Sequence, residues 1–197
     1  MQVREVRRLP NRLPAGDDHP YRTGAWQPTF VEYDADDLDV LEGAIPAGLD
    51  GVYLRNTENP VMDAIGRYHP FDGDGMVHGI RFSGGRAIYR NRFVRTAGLA
   101  AELEAGAPQW AGIIESPAKS LRDGWGARGR MKDASSTDVI VHAGEALTTF
   151  YQCGDAYRLD PTTLETRGTA PWVPPAGISA HPKLDPATGE LLYFSYS

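Results

Sequence analysis

The chain has 197 residues, of which 41% are hydrophobic and 23% charged, and its formal net charge at pH 7 is −6. This length provides for one large domain or two small ones with an apolar core. A single cysteine excludes a disulfide framework, and the negative charge argues against nucleic-acid binding. No apolar run reaches the ~18 residues of a membrane span, and the N-terminus lacks the apolar stretch of a signal peptide. We therefore expect a soluble, cytoplasmic chain.

The first 44 residues differ in composition from the rest. Residues 1–30 hold four prolines among arginines and aspartates and show no hydrophobic period, which predicts an extended arm packed along a larger body. The segment Val31–Ala44 holds six acidic residues. We expect that segment to be a solvated part of the surface.

From about residue 50 onward, short β-type runs alternate with turns. The first run is Gly51–Arg55, and Gly79–Val94 predicts a hairpin because Gly84-Gly85 can supply the positive φ values of a tight turn. Gly98–Ala107 is the one predicted helix. Further hairpins are predicted over Asp138–Tyr151 (turning at Ala143-Gly144), Tyr157–Thr166 (at Asp160-Pro161) and Leu184–Tyr196 (through Pro186–Gly189).

The succession of hairpins predicts an all-β fold. Hairpins that follow one another every few tens of residues are typical of a β-propeller, although a sandwich or a barrel fits the pattern as well. The turn Leu-Asp-Pro-x-Thr occurs twice, at 159–163 and 184–188. At roughly 40–50 residues per blade, the chain without its arm supplies about three blades. Three blades do not close a ring, so the chain is either not a propeller or only part of one.

The histidines are the first candidates for a metal site. None of the five forms a spacing that places two ligands on one helix face, so a site would have to gather them from separate strands. A surface or hydrogen-bonded core position is the commoner role for any one of them. His181 is the strongest candidate, because Pro182 biases its backbone to an extended conformation at the mouth of a strand. An imidazole held there can offer one nitrogen to a metal.

Other motifs lack the context that their chemistry needs. Phe71–Met76 resembles the start of a calcium loop, but its glycines are misplaced and no glutamate closes it, which favours a glycine-rich bend between strands. Ser135–Thr137 has no nucleophile elbow and no adjacent base. Gly124–Gly129 spells Gly-x-Gly-x-x-Gly without a preceding strand or a following helix, which argues against a dinucleotide site.

Two further expectations concern basic residues and the cysteine. Lys132, Arg128 and Arg130 are expected to be solvated, and Cys153 to be a small buried hydrophobic residue. Taken alone, the residues indicate an all-β protein with one candidate metal ligand, and they support no particular reaction.

Six segments nevertheless resemble one family when they are taken in chain order. They are Gly51–Asn56 with Asn59-Pro60, His69–His78, Tyr89–Arg95, Ser136–Gly144, Tyr157–Glu165 and Ala180–Pro186. The motifs Phe-Asp-Gly-Asp-Gly-Met and Ala-His-Pro-Lys are specific when they occur together. The chain is similar over nearly its whole length to the carotenoid cleavage oxygenases, which include apocarotenoid and lignostilbene dioxygenases. These are non-haem iron dioxygenases on a seven-bladed β-propeller.

The resemblance implies how the chain is organised. Residues 1–197 would be the N-terminal portion of a single propeller domain, in which about three blades follow the arm 1–30. Short helical and loop insertions would interrupt the strands.

The resemblance also implies roles for five residues. His181 matches the first of four iron-binding histidines, the other three of which lie in later blades. Thr137 matches a threonine near the open coordination position of the iron. Gln152 stands where the family has an outer-shell glutamate, and its neutral amide cannot offset the charge of iron. Tyr151 replaces a lysine that contacts the substrate phenol in lignostilbene enzymes, and Phe71 would line an apolar tunnel or serve a structural role.

The implied cofactor is Fe(2+), held by four neutral imidazoles that leave positions open for dioxygen. The implied reaction is cleavage of a C=C bond in a carotenoid, apocarotenoid or related conjugated alkene by O2, giving two carbonyl products, with this chain by itself incomplete. The expected partners are an apolar conjugated small molecule, O2 and, peripherally, a membrane. A stilbene is the alternative substrate, and a non-catalytic propeller fragment acting as an interaction module is the alternative function.

Overall fold

The structure is a computed structural model that describes residues 1–124 and 129–196. Its first sheet has five antiparallel strands in the order β1-β2-β5-β4-β3. They are β1 (Gln2–Arg8), β2 (Val31–Asp36), β3 (Gly51–Glu58), β4 (Gly75–Ser83) and β5 (Arg86–Phe93). One helix, α1 (Ala97–Ala105), follows this sheet, close to the predicted helical range.

Two further antiparallel sheets complete the described part of the chain. The second sheet has the order β6-β7-β8-β9, and the third is a hairpin of β10 and β11. Their strands are β6 (Asp138–His142), β7 (Glu145–Thr149), β8 (Tyr157–Leu159), β9 (Thr166–Thr169), β10 (Lys183–Leu184) and β11 (Leu191–Leu192). Single 3-10 turns lie at Gly24–Trp26, Pro70–Asp72 and Pro117–Lys119. The predicted hairpins are confirmed, although the last one has shorter strands than expected.

Two hairpins turn at the dipeptides that the sequence predicted. Gly84 and Gly85 have φ values of 56° and 76° between β4 and β5, and Ala143 and Gly144 have values of 49° and 81° between β6 and β7. A turn with two consecutive positive φ values matches the right-handed twist of the flanking strands. Such turns favour glycine because glycine adopts positive φ values without steric cost. The register on either side is therefore set locally.

The core between the first two sheets fixes how they stack. Val77 of β4 and Val94, which follows β5, pack against three residues of the second sheet region. These are Ala146 of β7, Leu159 of β8 and Leu164 in the turn before β9, and all five residues are buried. A second cluster packs α1 on the opposite side of the first sheet through Leu99, Phe93 and Met76. The first sheet is therefore covered by apolar side chains of the second sheet on one side and of α1 on the other.

The predicted arm begins with a strand. β1 pairs antiparallel with β2 along the edge of the first sheet. All seven residues of β1 are exposed, which explains why no hydrophobic period marks the strand. An ion pair of 2.6 Å between Arg4 and Asp34 helps to hold β1 in place.

The prediction of a solvated surface segment over Val31–Ala44 is wrong for its first part. Glu32 in β2 is fully buried, and its Oε1 accepts hydrogen bonds from the backbone N–H of Phe93 at 2.9 Å and from Arg95 at 2.5 Å. Arg95, which pairs with this carboxylate, is 63 residues away in sequence. Composition alone therefore did not reveal its burial.

Asp34 is the second buried carboxylate of β2. Burial by itself would raise its pKa, but hydrogen bonds from Arg92 and Arg4, together with the nearby charge of Arg90, hold the pKa below its usual range. A buried carboxylate stays charged only where such partners compensate for its lost hydration.

No helix among the described residues combines the length and the apolar character needed to cross a membrane.

Candidate functional site

The five predicted site residues lie in loops beside the three sheets, and contacts join three of them: Thr137, Tyr151 and Phe71. Thr137 directly precedes β6, Tyr151 and Gln152 follow β7, His181 lies two residues before β10, and Phe71 belongs to the 3-10 turn that leads into β4. The structure thus brings together residues from all three sheets, although no role is shown for them by their position alone.

Thr137 is held by the turn that follows β7. Its Oγ1 accepts a hydrogen bond of 3.2 Å from the backbone N–H of Tyr151, and its own N–H donates to the carbonyl of Thr149 at 3.0 Å. The side chain is half-buried. Since Oγ1 serves as the acceptor in this contact, the hydroxyl proton is available to donate to another group.

Tyr151 and Phe71 form an aromatic pair beside Thr137. Their ring centroids are 5.3 Å apart at an interplanar angle of 60°, and Phe150 packs on the Tyr151 ring at 4.9 Å. Phe71 is 42% exposed, so the pair presents an accessible apolar edge. Burial raises the pKa of Tyr151, although a side-chain hydrogen bond with Gln152 opposes the shift.

The turn after β7 is tied to the segment before β10. Gly154 and Ile178 exchange two backbone hydrogen bonds of 3.0 and 2.9 Å, and Ser179 Oγ donates to the carbonyl of Tyr151 at 3.1 Å. A Cβ at Gly154 would lie 2.5 Å from a carboxylate oxygen of Asp133, so only glycine fits this close approach. These contacts fix the approach of Tyr151 to the loop that carries His181.

Three residues around this site have strained backbone conformations. Ser135, Cys153 and His181 have φ values of 47°, 59° and 64°, in the left-handed region that non-glycine residues rarely adopt. Such strain costs of the order of 1–3 kcal/mol per residue and clusters at functional sites. The three positions flank Thr137 and Gln152 and include the predicted metal ligand.

The extended backbone predicted for His181 is wrong. Pro182 favours an extended residue before it, but the chain on both sides of His181 is fixed by pairing. Ser179 N donates to the carbonyl of Phe194 at 2.9 Å, and β10 begins at Lys183. Non-local hydrogen bonds therefore set the backbone conformation of His181 against the local preference for an extended one.

The imidazole of His181 is accessible and faces a carboxylate. Its side chain is 65% exposed, and Nδ1 lies 3.6 Å from Oδ2 of Asp138, the first residue of β6. Within residues 1–124 and 129–196, no three histidine, cysteine or acidic side chains gather in a way that could hold a metal ion. The donor set thus fits one ligand of a larger metal site. The sequence analysis did not single out Asp138, because its contact with His181 joins residues that are 43 positions apart.

The glycine-rich bend predicted for Phe71–Met76 is confirmed. Asp72 caps the 3-10 turn by accepting from His69 N at 2.8 Å, and it also accepts from Ile113 N at 2.9 Å. Burial raises the pKa of Asp72. Asp74 pairs with Lys132. These carboxylates have protein partners, which argues against a calcium loop.

The prediction that Lys132 is solvated is wrong. Its Nζ lies 2.6 Å from Asp74 and 2.7 Å from Glu102 of α1, and both carboxylates are buried. Burial would lower the pKa of Lys132, but the two carboxylates raise it on balance. Arg130 is exposed, as expected.

The remaining motifs add no catalytic group. Ser135 Oγ bonds to Thr148 Oγ1 at 2.8 Å in a buried position, which gives a nucleophile no base. Cys153 is buried, as predicted. In the Gly-x-Gly-x-x-Gly stretch, residues 125–128 with Gly126 and Arg128 lie outside the described residues.

Comparison with known proteins decides the family. A sequence model described as retinal pigment epithelial membrane protein matches residues 26–197. A carotenoid cleavage oxygenase of Mycobacterium tuberculosis is 38% identical over 187 residues, which cover 93% of this chain and 34% of that protein. An isoeugenol monooxygenase of Pseudomonas nitroreducens is 36% identical over 179 residues, covering 89% and 36%. The chain belongs to the carotenoid oxygenase family.

Solved structures give the same answer for the fold. The crystal structure of Pseudomonas brassicacearum lignostilbene dioxygenase matches with a TM-score of 0.77 and 30% identity, over 95% of this chain and 37% of that one. Carotenoid oxygenases are β-propellers, so the three sheets are part of a propeller and the sandwich and barrel alternatives are wrong. The chain spans about a third of the length of the curated relatives that it matches. The family is iron-dependent.

Proposed function

We propose that this chain supplies one iron ligand and part of the substrate wall of a non-haem Fe(II) dioxygenase. The reaction would cleave a C=C bond of a carotenoid, apocarotenoid or related conjugated alkene with O2 and give two carbonyl products. The observation that carries the proposal is a set of contacts in adjoining, strained loops. Tyr151 contacts Thr137 and Phe71, and the segment before His181 is hydrogen-bonded to the turn that carries Tyr151. Activity and substrate belong to a protein of family length, of which these residues are one part.

His181 would act as a neutral nitrogen ligand. Its exposed imidazole has Nδ1 toward Asp138, which leaves Nε2 for a metal. When bound, Fe(II) supplies a redox-active centre with open coordination positions for dioxygen. The role of the chain is to hold the imidazole at the end of a strand, where a fixed turn limits its movement.

Thr137 would lie beside the reacting atoms and hold a hydrogen-bond donor toward them. Its Oγ1 is pinned by the N–H of Tyr151, so the direction of the hydroxyl is restricted before any substrate binds. A donor that is oriented in advance needs little reorganisation during the reaction.

The Phe71–Tyr151 pair would bind the conjugated part of the substrate and exclude water. Aromatic edges and faces provide dispersion contacts for a planar alkene. Because burial raises the pKa of Tyr151, the phenol stays protonated at neutral pH and brings no charge into the apolar wall. Gln152 would take the predicted outer-shell position with a neutral amide.

A stilbene or a related aryl alkene is the second candidate substrate. Relatives that match this chain are named for isoeugenol and lignostilbene, and the aromatic pair suits an aryl ring as well as a polyene. Tyr151 in place of the lysine of lignostilbene enzymes argues for the apolar substrates first. A cytoplasmic location and a peripheral membrane contact stay predictions.

The test is an anaerobic Fe(II) titration of a protein of family length that contains this chain, followed by assays with apocarotenoids and stilbenes. We expect one equivalent of iron, and we expect His181→Ala to abolish iron loading and alkene cleavage. His142→Ala is the matched control, because His142 is a half-buried histidine at the end of β6 whose imidazole bonds the carbonyl of Gly189.

Two outcomes would overturn the proposal in different ways. Iron binding and cleavage by His181→Ala would show that the ligand assignment is wrong. A wild-type protein without iron or activity would favour the non-catalytic propeller fragment instead.

A further inference from the structure

The carboxylate of Asp138 faces the imidazole of His181 between the second and third sheets. Oδ2 lies 3.6 Å from Nδ1, within ion-pair range and longer than a hydrogen bond. Hydrogen bonds in metal-free or substrate-free sites are often long and tighten when the site is filled. The two side chains are therefore placed to interact through one ring nitrogen.

Asp138 is anchored more firmly than its partner. It pairs with Thr149 across β6 and β7, and its carbonyl accepts a hydrogen bond of 3.1 Å from Asn56 of β3. His181 lies on a strained turn with a 65% exposed side chain, whereas the Asp138 side chain is 27% exposed. The better-anchored residue is thus the one able to orient the more exposed imidazole.

We propose that Asp138 is the positioning residue for His181, and this proposal rests on the proposed function. Its carboxylate would accept a hydrogen bond from Nδ1–H, which selects one tautomer and one ring orientation and directs Nε2 to the metal. A histidine ligand that donates its other N–H to a carboxylate is a better-oriented and more basic ligand.

Charge at the site supports this assignment. The resemblance gives the outer-shell role to Gln152, but the side chain of Gln152 is neutral. Neutral imidazole ligands do not offset the charge of Fe(II). Asp138 adds a negative charge next to a ligand, and the family resemblance implies no role for this position.

The first experiment measures the tautomer of His181 without metal. Long-range 1H–15N correlation spectra of histidine-labelled, metal-free protein of family length would be recorded at pH 8, with His181→Gln identifying the signal. We expect the Nδ1–H form in the wild type and a shift toward the Nε2–H form in Asp138→Ala. Asp138→Glu, which keeps the carboxylate, should restore the Nδ1–H form at least in part.

The second experiment measures Co(II) affinity in the same proteins, because Co(II) is stable in air. Asp138→Asn, which keeps the shape and removes the charge, should weaken binding by about 10- to 100-fold. Asp50→Asn is the matched control, since Asp50 is exposed and pairs with Arg81 away from the site. The control should bind Co(II) like the wild type.

The outcomes separate this inference from the function on which it rests. If His181→Ala still binds Co(II) fully, the proposed ligand is wrong. If His181→Ala loses Co(II) while the Asp138 variants keep the wild-type tautomer and affinity, only the positioning role is wrong and the contact is a surface ion pair. Unfolding midpoints of the Asn and Glu variants show whether a lost signal reflects lost fold.

Discussion

Two regions of this chain use charged and polar groups in opposite ways. Around α1 and the turn before β4, Lys132 lies between Asp74 and Glu102, and all three are largely or fully buried. In the loops around β6 and β10, His181 is mostly exposed and meets Asp138 at a longer distance. The first region shows charge used to connect elements, and the second shows groups kept accessible on strained backbone, as ligand binding requires.

The largest expected effect is in the first region. Lys132→Met removes the cation between two buried carboxylates and leaves both without the positive charge of Lys132. This should lower the free energy of unfolding by about 3–5 kcal/mol. Urea unfolding followed by fluorescence would measure the change.

A matched lysine provides the control for that experiment. Lys119 pairs with Glu115 on the surface, where an ion pair contributes about 0–1 kcal/mol, so Lys119→Met should change stability little. Equal losses in the two variants would mean that burial does not separate the two ion pairs.

The second prediction concerns how the stability of the fold depends on pH through His78. His78 lies between Thr57 and Tyr89, and burial, with the nearby charge of Arg55, lowers its pKa. The unfolded chain therefore takes up a proton at His78 at a higher pH than the folded chain. The stability contributed by neutral His78 is present above pH 6.5, the ordinary pKa, and is lost as the pH falls through the lower folded-state value.

We expect the unfolding free energy of the wild type to fall between pH 7 and pH 5 more steeply than that of His78→Gln. Urea titrations at several pH values measure both slopes. Identical slopes for wild type and His78→Gln would show that His78 is not held neutral by the fold.

The smallest expected effect is in the second region. His181→Gly removes the predicted ligand but relieves a φ of 64°, and the greater freedom of glycine in the unfolded chain offsets that relief. The unfolding free energy should change by less than about 1 kcal/mol, while metal binding is lost. A large loss of stability would mean that His181 is a structural residue, which would erase the difference between the regions.

Much of the fold was predictable because the signals were local. Gly84-Gly85 and Ala143-Gly144 mark tight turns by their own conformational preferences, and the flanking runs show which segments are strands. The exposed edge strand β1 carried no such signal, because nothing on it is buried.

The site was predictable only in part. His181 was singled out first by its place before Pro182, and Thr137 and Tyr151 by a family resemblance. The contacts of these residues depend on loops of different sheets. Asp138 was missed because its partner lies 43 positions further along the chain.

The sequence by itself determined the all-β class, the hairpin turns and the family, because these depend on neighbouring residues and short motifs. Only the tertiary structure decided that Glu32, Asp34 and Lys132 are buried, that His181 has a left-handed backbone and that Asp138 faces it. One explanation holds for the charged residues. Whether a charge is buried depends on partners that are distant in sequence, and only folding brings those partners within a few ångströms.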